Sequence, residues 1–324
     1  MKIAIIGAGS IGGYLGGMLA HAGYDVSLLA RGPHLQAIRA KGLRVQGVNG
    51  LDVTVQPKAS DDPAALGRQD LLIVSVKAPA LPSLAPRLAP MLGPDTAILT
   101  AMNGIPYWYF HNLAGPLQGR QLTSVDPDGT IWRSLPPAQV IGGVVRLPSS
   151  VPEPGMVRAL SPANLLIGEL DGSSSPRIQR IAEALTKAGI QAPIRKDIRQ
   201  DVWVKLLGNM AFSSCSVLTG GTQAEIATHP GMRAVLTAMM YEAQAVAQQL
   251  GIQFETSVEQ RVAEGGKVAL HKPSMLQDWE AGRPMEIESI IGVVPELAGM
   301  LGLATPTIDT ILAVLRVKAA LQKI

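Results

Sequence analysis

The 324-residue sequence is poor in cysteine, in aromatic side chains and in charge, and each scarcity removes a class of function. A single cysteine, Cys215, excludes a disulfide framework and any multi-cysteine metal site. Charged residues are only 16% of the chain, the formal net charge is +3, and no basic stripe stands out, so no nucleic-acid partner is expected. The five histidines show no ligand spacing, the nearest pair (His21 and His34) being 13 residues apart, and no metal is expected. Long apolar runs are missing as well. Residues 290–308 come nearest, but Pro295, Glu296 and Pro306 interrupt the roughly 20 apolar residues that a membrane span requires. The apolar start, 3–20, is broken by six glycines and does not read as a signal peptide. The expectation is a cytoplasmic protein with no membrane partner.

What is abundant is apolar residues, 47% of the chain, and glycine, with 34. The length exceeds what one core usually serves, so two domains are expected. Strands are predicted at 2–6, 25–29, 71–75 and 96–100 and a helix over 11–22, the alternation of a parallel sheet covered by helices. Predicted strands at 141–147, 157–160 and 165–167, set between Pro- and Gly-rich turns, read as a partly antiparallel extension of the same sheet. A helix over 177–188 and a short strand near 191–194 follow. Apolar residues then recur every three or four positions, predicting helices over 201–218, 229–250, 257–269 and 284–301. The predicted fold is α/β: a Rossmann-type doubly wound domain, 1–195, then an all-α domain, 196–324. The first holds 17 Lys and Arg against 12 Asp and Glu, a balance of +5, and the second 11 against 13, a balance of −2. The excess of positive charge weakly favours a phosphate-bearing ligand on the first.

Gly7-Ala8-Gly9-Ser10-Ile11-Gly12 follows the first predicted strand and opens the first predicted helix. A lone G-x-G-x-x-G says little; placed between strand and helix it is a dinucleotide fingerprint. The first glycine permits the turn, the second lets backbone approach a pyrophosphate, and the third lets helix and strand pack closely. About 20 residues beyond such glycines an NAD site carries an acid for the ribose 2′-hydroxyl. This chain has Ala30 and then Arg31, whose guanidinium would pair with a 2′-phosphate, so the expected cofactor is NADP(H). Lys77, just past the 71–76 run, comes from the sheet edge where ligands bind and is a second candidate for the cofactor phosphates.

In the second half, Lys205, Asn209 and Ser213 recur at four-residue intervals, on one face of a predicted helix flanked by apolar residues. Such a row either faces solvent or lines a cleft. Gly208 beside it suggests close approach by a neighbouring helix or a ligand. A lysine so placed would suit a carbonyl reductase, which needs a proton donor beside the developing alkoxide.

These segments, with Met102-Asn103-Gly104, Trp203-Val-Lys205-Leu-Leu-Gly-Asn209, Pro273-Ser274-Met-Leu-Gln-Asp278 and Gly282-Arg-Pro-Met-Glu286-Ile-Glu, resemble the ketopantoate reductases (2-dehydropantoate 2-reductases) from end to end. The resemblance implies a small 2-oxo acid substrate, with Lys205 the general acid and Glu286 holding substrate and the nicotinamide end. It implies that Asn103 lies near nicotinamide ribose and substrate, and that Asn209 and Ser274 bind substrate. Ser213 stands where the family usually has a second asparagine, so it is expected at the substrate pocket, widened or re-aimed. Tyr107–Phe110, four of the chain's twelve aromatic residues, are either core or a wall of that pocket. His271, three residues before Ser274, is a weaker cleft candidate. Two rival readings are kept: the same chemistry on a different 2-oxo acid, and a non-catalytic sensor of NADP(H). The apolar C-terminal helices offer either a homodimer interface or one packed core.

Overall fold

The computed structural model describes residues 1–268 and 272–322; His271 lies outside the described residues. The chain divides into two compact units. The first comprises 1–102, 107–121 and 128–198; the second comprises 199–324 together with the short excursions 103–106 and 122–127. The expected boundary at 195 was a single cut. It could not include these excursions, because they are held in the second unit by hydrogen bonds that leave no periodic trace in the sequence.

The first unit is built on β1 (Lys2–Ile6), β2 (Asp25–Leu29), β5 (Lys58–Ser60), β6 (Leu71–Val74), β7 (Ala97–Thr100), β8 (Val140–Arg146) and β11 (Asn164–Glu169), in the spatial order β11-β8-β7-β6-β1-β2-β5. All neighbours run parallel except β11, which lies antiparallel to β8. Short β-branched and leucine-rich strands such as Leu71–Val74 are buried along their whole length, as strands with both faces covered must be. The antiparallel extension expected after residue 103 is thus present in β8 and β11. The third strand placed there, β10 (Met156–Ala159), belongs elsewhere: it joins β3 (Leu43–Gln46), β4 (Asp52–Val55) and β9 (Ser149–Ser150) in a second sheet ordered β4-β3-β10-β9. Residues 191–194 make only isolated bridges to β11.

The glycines of α1 (Ser10–His21) explain the second sheet. Side chains at 13, 16 and 17 would collide with both layers: a Cβ at Gly16 would lie 2.6 Å from Ile5 of the main sheet, one at Gly13 2.7 Å from Val157 of the second, and one at Gly17 would overlap Val45. The helix is buried from Gly12 to Leu19. It is a spacer between two sheets, and its bare faces set how closely they approach.

The aromatic run Tyr107–Phe110 is core. All four side chains are buried; the Tyr107 hydroxyl donates to the Leu135 carbonyl at 2.8 Å and the Trp108 indole N–H to Thr100 Oγ1 at 3.0 Å. α3 (Pro176–Lys187), capped by Ser175, packs Ile178, Ile181 and Leu185 into the same core as β1 and α1. Its first turn carries Arg177, whose Nε and Nη2 grip the buried Glu169 of β11 at 2.8 and 2.6 Å.

The second unit is helical: α4 (Ile198–Thr219), α5 (Pro230–Gln249), α6 (Val258–Gly265), α7 (Ser274–Glu280), α8 (Val293–Met300) and α9 (Pro306–Leu321), with shorter turns between. The predicted helix 284–301 is divided. Glu288–Gly292 form a π-helical turn before α8. Among the described residues no helix is long and apolar enough to cross a membrane.

Candidate active site

The glycine loop takes the geometry its sequence prescribes. Gly7 has φ +95°, a conformation in which an L side chain is strained, and a Cβ there would press on Val76. At Gly12 a Cβ would overlap the Gly7 carbonyl oxygen and Ser75 Oγ, so strand and helix close only because it is bare. Ser75, at the end of β6, fastens the turn by donating to the Gly7 carbonyl at 2.9 Å. Gly9 alone of the three has, among the described residues and apart from its chain neighbours, no atom within 4 Å of where its Cβ would stand. Open space at the middle glycine, tight packing at the outer two, and the N-terminus of α1 behind them fit a bound pyrophosphate. Ala8 is buried within the loop, while Ser10 and Ile11 form the first turn of α1.

Arg31 follows β2 and Ala30, stands at the N-cap of α2 (Gly32–Lys41), makes no side-chain capping bond and is exposed. Lys77 lies half-buried three residues past the carboxyl end of β6.

The helical unit gathers three of the remaining residues. Lys205, half-buried on α4, donates from Nζ to Asn103 Oδ1 at 2.6 Å, and Asn103 Nδ2 donates to Glu286 Oε2 at 3.2 Å. One amide therefore bridges the ammonium and the buried carboxylate. Its own placement is built into the backbone. Gly104, at φ +86°, passes so close to Ser289 that a Cβ would overlap the Ser289 carbonyl oxygen, and that oxygen accepts from Ile105 N–H at 2.9 Å. Ser289 sits in the π-helical turn just after Glu286. Glu286 and the turn that follows it thus present a carboxylate side chain and a main-chain carbonyl to one short segment, in keeping with the frequent occurrence of π-turns at functional sites.

Asn209 and Ser213 are joined, Ser213 Oγ donating to Asn209 Oδ1 at 2.7 Å. Ser213 is fully buried, so it reaches the half-open face only through Asn209. Ser274 is exposed at the start of α7 and shares no hydrogen bond with Lys205, Asn103 or Glu286 among the described residues. Four residues on, buried Asp278 takes Arg283 Nε at 3.0 Å, closing the turn that leads to Glu286.

Sequence reasoning missed the second clasp of this unit. Glu296 of α8 accepts from both the N–H and the hydroxyl of Thr123 (2.6 and 2.8 Å) and from the N–H (2.9 Å) and hydroxyl of Ser124. Burial alone would raise this carboxyl, but the four donors hold it below the usual glutamate range. Its sole signal was an acid inside an apolar helical run. Cys215, also on α4, is buried with its thiol pushed up to about 12 by desolvation, which makes it unreactive. Among the described residues no cluster of His, Cys, Asp or Glu is arranged to hold a metal.

Comparison with known proteins covers both halves of this architecture. Residues 3–172 match the family described as ketopantoate reductase PanE/ApbA, and residues 197–319 match its C-terminal family. A 2-dehydropantoate 2-reductase of Mesorhizobium japonicum is 45% identical over 98% of this chain and 97% of its own. A candidate ketopantoate reductase from Ralstonia solanacearum MolK2 superposes with a TM-score of 0.94 at 43% identity, covering 100% of this chain and 99% of that one. A PanE/ApbA family ketopantoate reductase from Ralstonia eutropha JMP134 gives 0.85 at 29%, covering all of both chains. The chain belongs to the ketopantoate reductase family and is an oxidoreductase acting on CH–OH groups.

Proposed function

We propose that this chain reduces 2-dehydropantoate to (R)-pantoate with NADPH, a cytoplasmic step of pantothenate biosynthesis, and that Lys205 is the general acid. The observation that carries this reading is the Lys205–Asn103–Glu286 arrangement. A lysine ammonium is a three-donor group, and the bond to Asn103 Oδ1 at 2.6 Å fixes where it stands on the open face of α4. The nicotinamide, when bound, supplies the hydride. As C2 of the oxo acid gains it, negative charge develops on the carbonyl oxygen, and Lys205 Nζ donates a proton there; the resulting amine recovers a proton from solvent. Glu286 fixes the amide, and the amide fixes the lysine. Asn209 offers its amide to the substrate, and Ser274 is a further contact in this reading. The 45% identical relative, itself a 2-dehydropantoate 2-reductase, supports the choice of substrate.

On the cofactor side, the residues 7–12 accommodate the pyrophosphate and Lys77 reaches its oxygens. Exposed Arg31, following Ala30 where an acid would reject a 2′-phosphate, selects NADPH. A charge-assisted hydrogen bond contributes about 1.5–3 kcal/mol, so Arg31→Ala should raise the Kd for NADPH about 10- to 100-fold and that for NADH less than threefold. Equal losses by titration would remove its role in reading the phosphate.

The functional reading is tested by following NADPH absorbance with a panel of 2-oxo acids. The highest kcat/KM is expected for 2-dehydropantoate. Preference for another acid would reassign the substrate, and tight NADPH binding without turnover of any acid would favour a sensor.

A further inference from the structure

α4 is a buried helix with one opening. Between Asp201 and Val217 every residue is buried except Val204, Lys205, Gly208 and Asn209. Positions i, i+1, i+4 and i+5 form one contiguous patch on a helix, so the opening is a window on a single face. At its centre is a glycine in the middle of a 22-residue helix, where it weakens the helix relative to alanine.

The glycines buried inside α1 and α6 are explained by their neighbours. Those of α1 are pressed by Ile5, Val157 and Val45, and at Gly265 of α6 a Cβ would overlap the Phe212 ring. Gly208 has no such neighbour among the described residues: beyond its own stretch of helix backbone, the one atom within reach of the place of its Cβ is Phe212 Cδ2, at 4.0 Å, an ordinary contact. Neither chain packing nor a left-handed backbone requires glycine there. The close neighbour expected from the sequence is therefore absent from the protein itself among the described residues.

We infer that Gly208 is a specificity-determining residue, whose missing side chain leaves room for the substituents on the carbon next to the ketone of a branched 2-oxo acid. The inference rests on the proposed reductase reading. Lys205 meets the ketone oxygen, and Gly208 lies three residues further, about 4.5 Å along the helix axis, on the same side. A substrate fully substituted at C3, as 2-dehydropantoate is, carries its bulk on the carbon bonded to the carbonyl, beside the oxygen that Lys205 meets. An unbranched acid has only hydrogens there.

Gly208→Ala separates this from a structural role because stability and selectivity move in opposite directions. The added methyl clashes with no protein atom and favours the helix, so the thermal midpoint should rise by roughly 2 °C. In the same protein the ratio of kcat/KM for 2-dehydropantoate over that for pyruvate should fall at least tenfold, chiefly through KM, and Gly208→Val should lower it further. An unchanged ratio in both variants, or a lowered midpoint with both acids affected alike, would overturn the assignment. The wild-type chain is the control: if it turns over neither acid, the reductase reading fails and the inference with it, whereas normal turnover with an unmoved ratio sinks the inference alone.

Discussion

Lys205→Ala is expected to lower kcat for the oxo acid by about 10²- to 10⁴-fold, the usual contribution of a positioned proton donor. The side chain is half-buried and makes its bond to Asn103 on the open face of α4, so its removal leaves no packed cavity. NADPH affinity should stay within about threefold, because the glycine loop proposed for the pyrophosphate belongs to the other unit of the chain. Lys205→Arg adds a sharper control. A guanidinium keeps the positive charge but does not release its proton, so a variant as slow as alanine would identify proton donation, and a variant near wild type would reduce the lysine to a fixed charge. Steady-state kinetics with fluorescence titration of NADPH distinguish these outcomes.

The second large effect concerns stability. Glu169 is 4% exposed at the end of β11, and it is held by Arg177 through two bonds and by the Ser175 hydroxyl. Arg177 also reaches the carbonyls of Ala138 and Val140, at 3.3 and 3.4 Å, so one guanidinium ties the edge strand, its neighbour and the first turn of α3. Removing one partner of a buried pair usually costs about 3–5 kcal/mol, because the other charge is left without compensation. The Arg177 side chain is 32% exposed, and some of its charge would be rehydrated, so Glu169→Ala should destabilise by about 2–4 kcal/mol. Glu169→Ala with Arg177→Met should recover part of that loss. A single-variant effect below about 0.5 kcal/mol in denaturant unfolding would class the pair with exposed ion pairs.

The parts of the molecule legible in the sequence are those with a local cause. β1 and β2 were placed to the residue because each apolar run ends close to a glycine turn, and α4 was placed to within three residues because its apolar spacing is long and regular. The expected grouping of Lys205, Asn103 and Glu286 rested on resemblance; no periodicity relates residues 103, 205 and 286. The second sheet was hidden because β3, β9 and β10 are two to four residues long and the pairing of β3 with β10 spans more than a hundred positions. The π-helical turn was hidden for another reason: one added residue per turn changes no side-chain type. Tyr107–Phe110 could be assigned to core or pocket equally well until the Trp108–Thr100 bond placed the indole beneath β7.

The attachment of Gly104 and Ile105 to Ser289 also bears on how the protein could be dissected. A fragment beginning at residue 199 would contain the lysine, the glutamate and the whole π-turn, yet it would lack the amide that joins them, because Asn103 is encoded almost a hundred residues upstream. Its counterpart ending at 198 would carry Asn103 on a segment deprived of the carbonyl that holds it. Two separately expressed halves could each retain most of their own secondary structure and still be chemically incomplete. The lysine–asparagine–glutamate arrangement is a property of the uninterrupted polypeptide, and recombination of this family by swapping halves would have to carry residues 103–106 along with the helical unit.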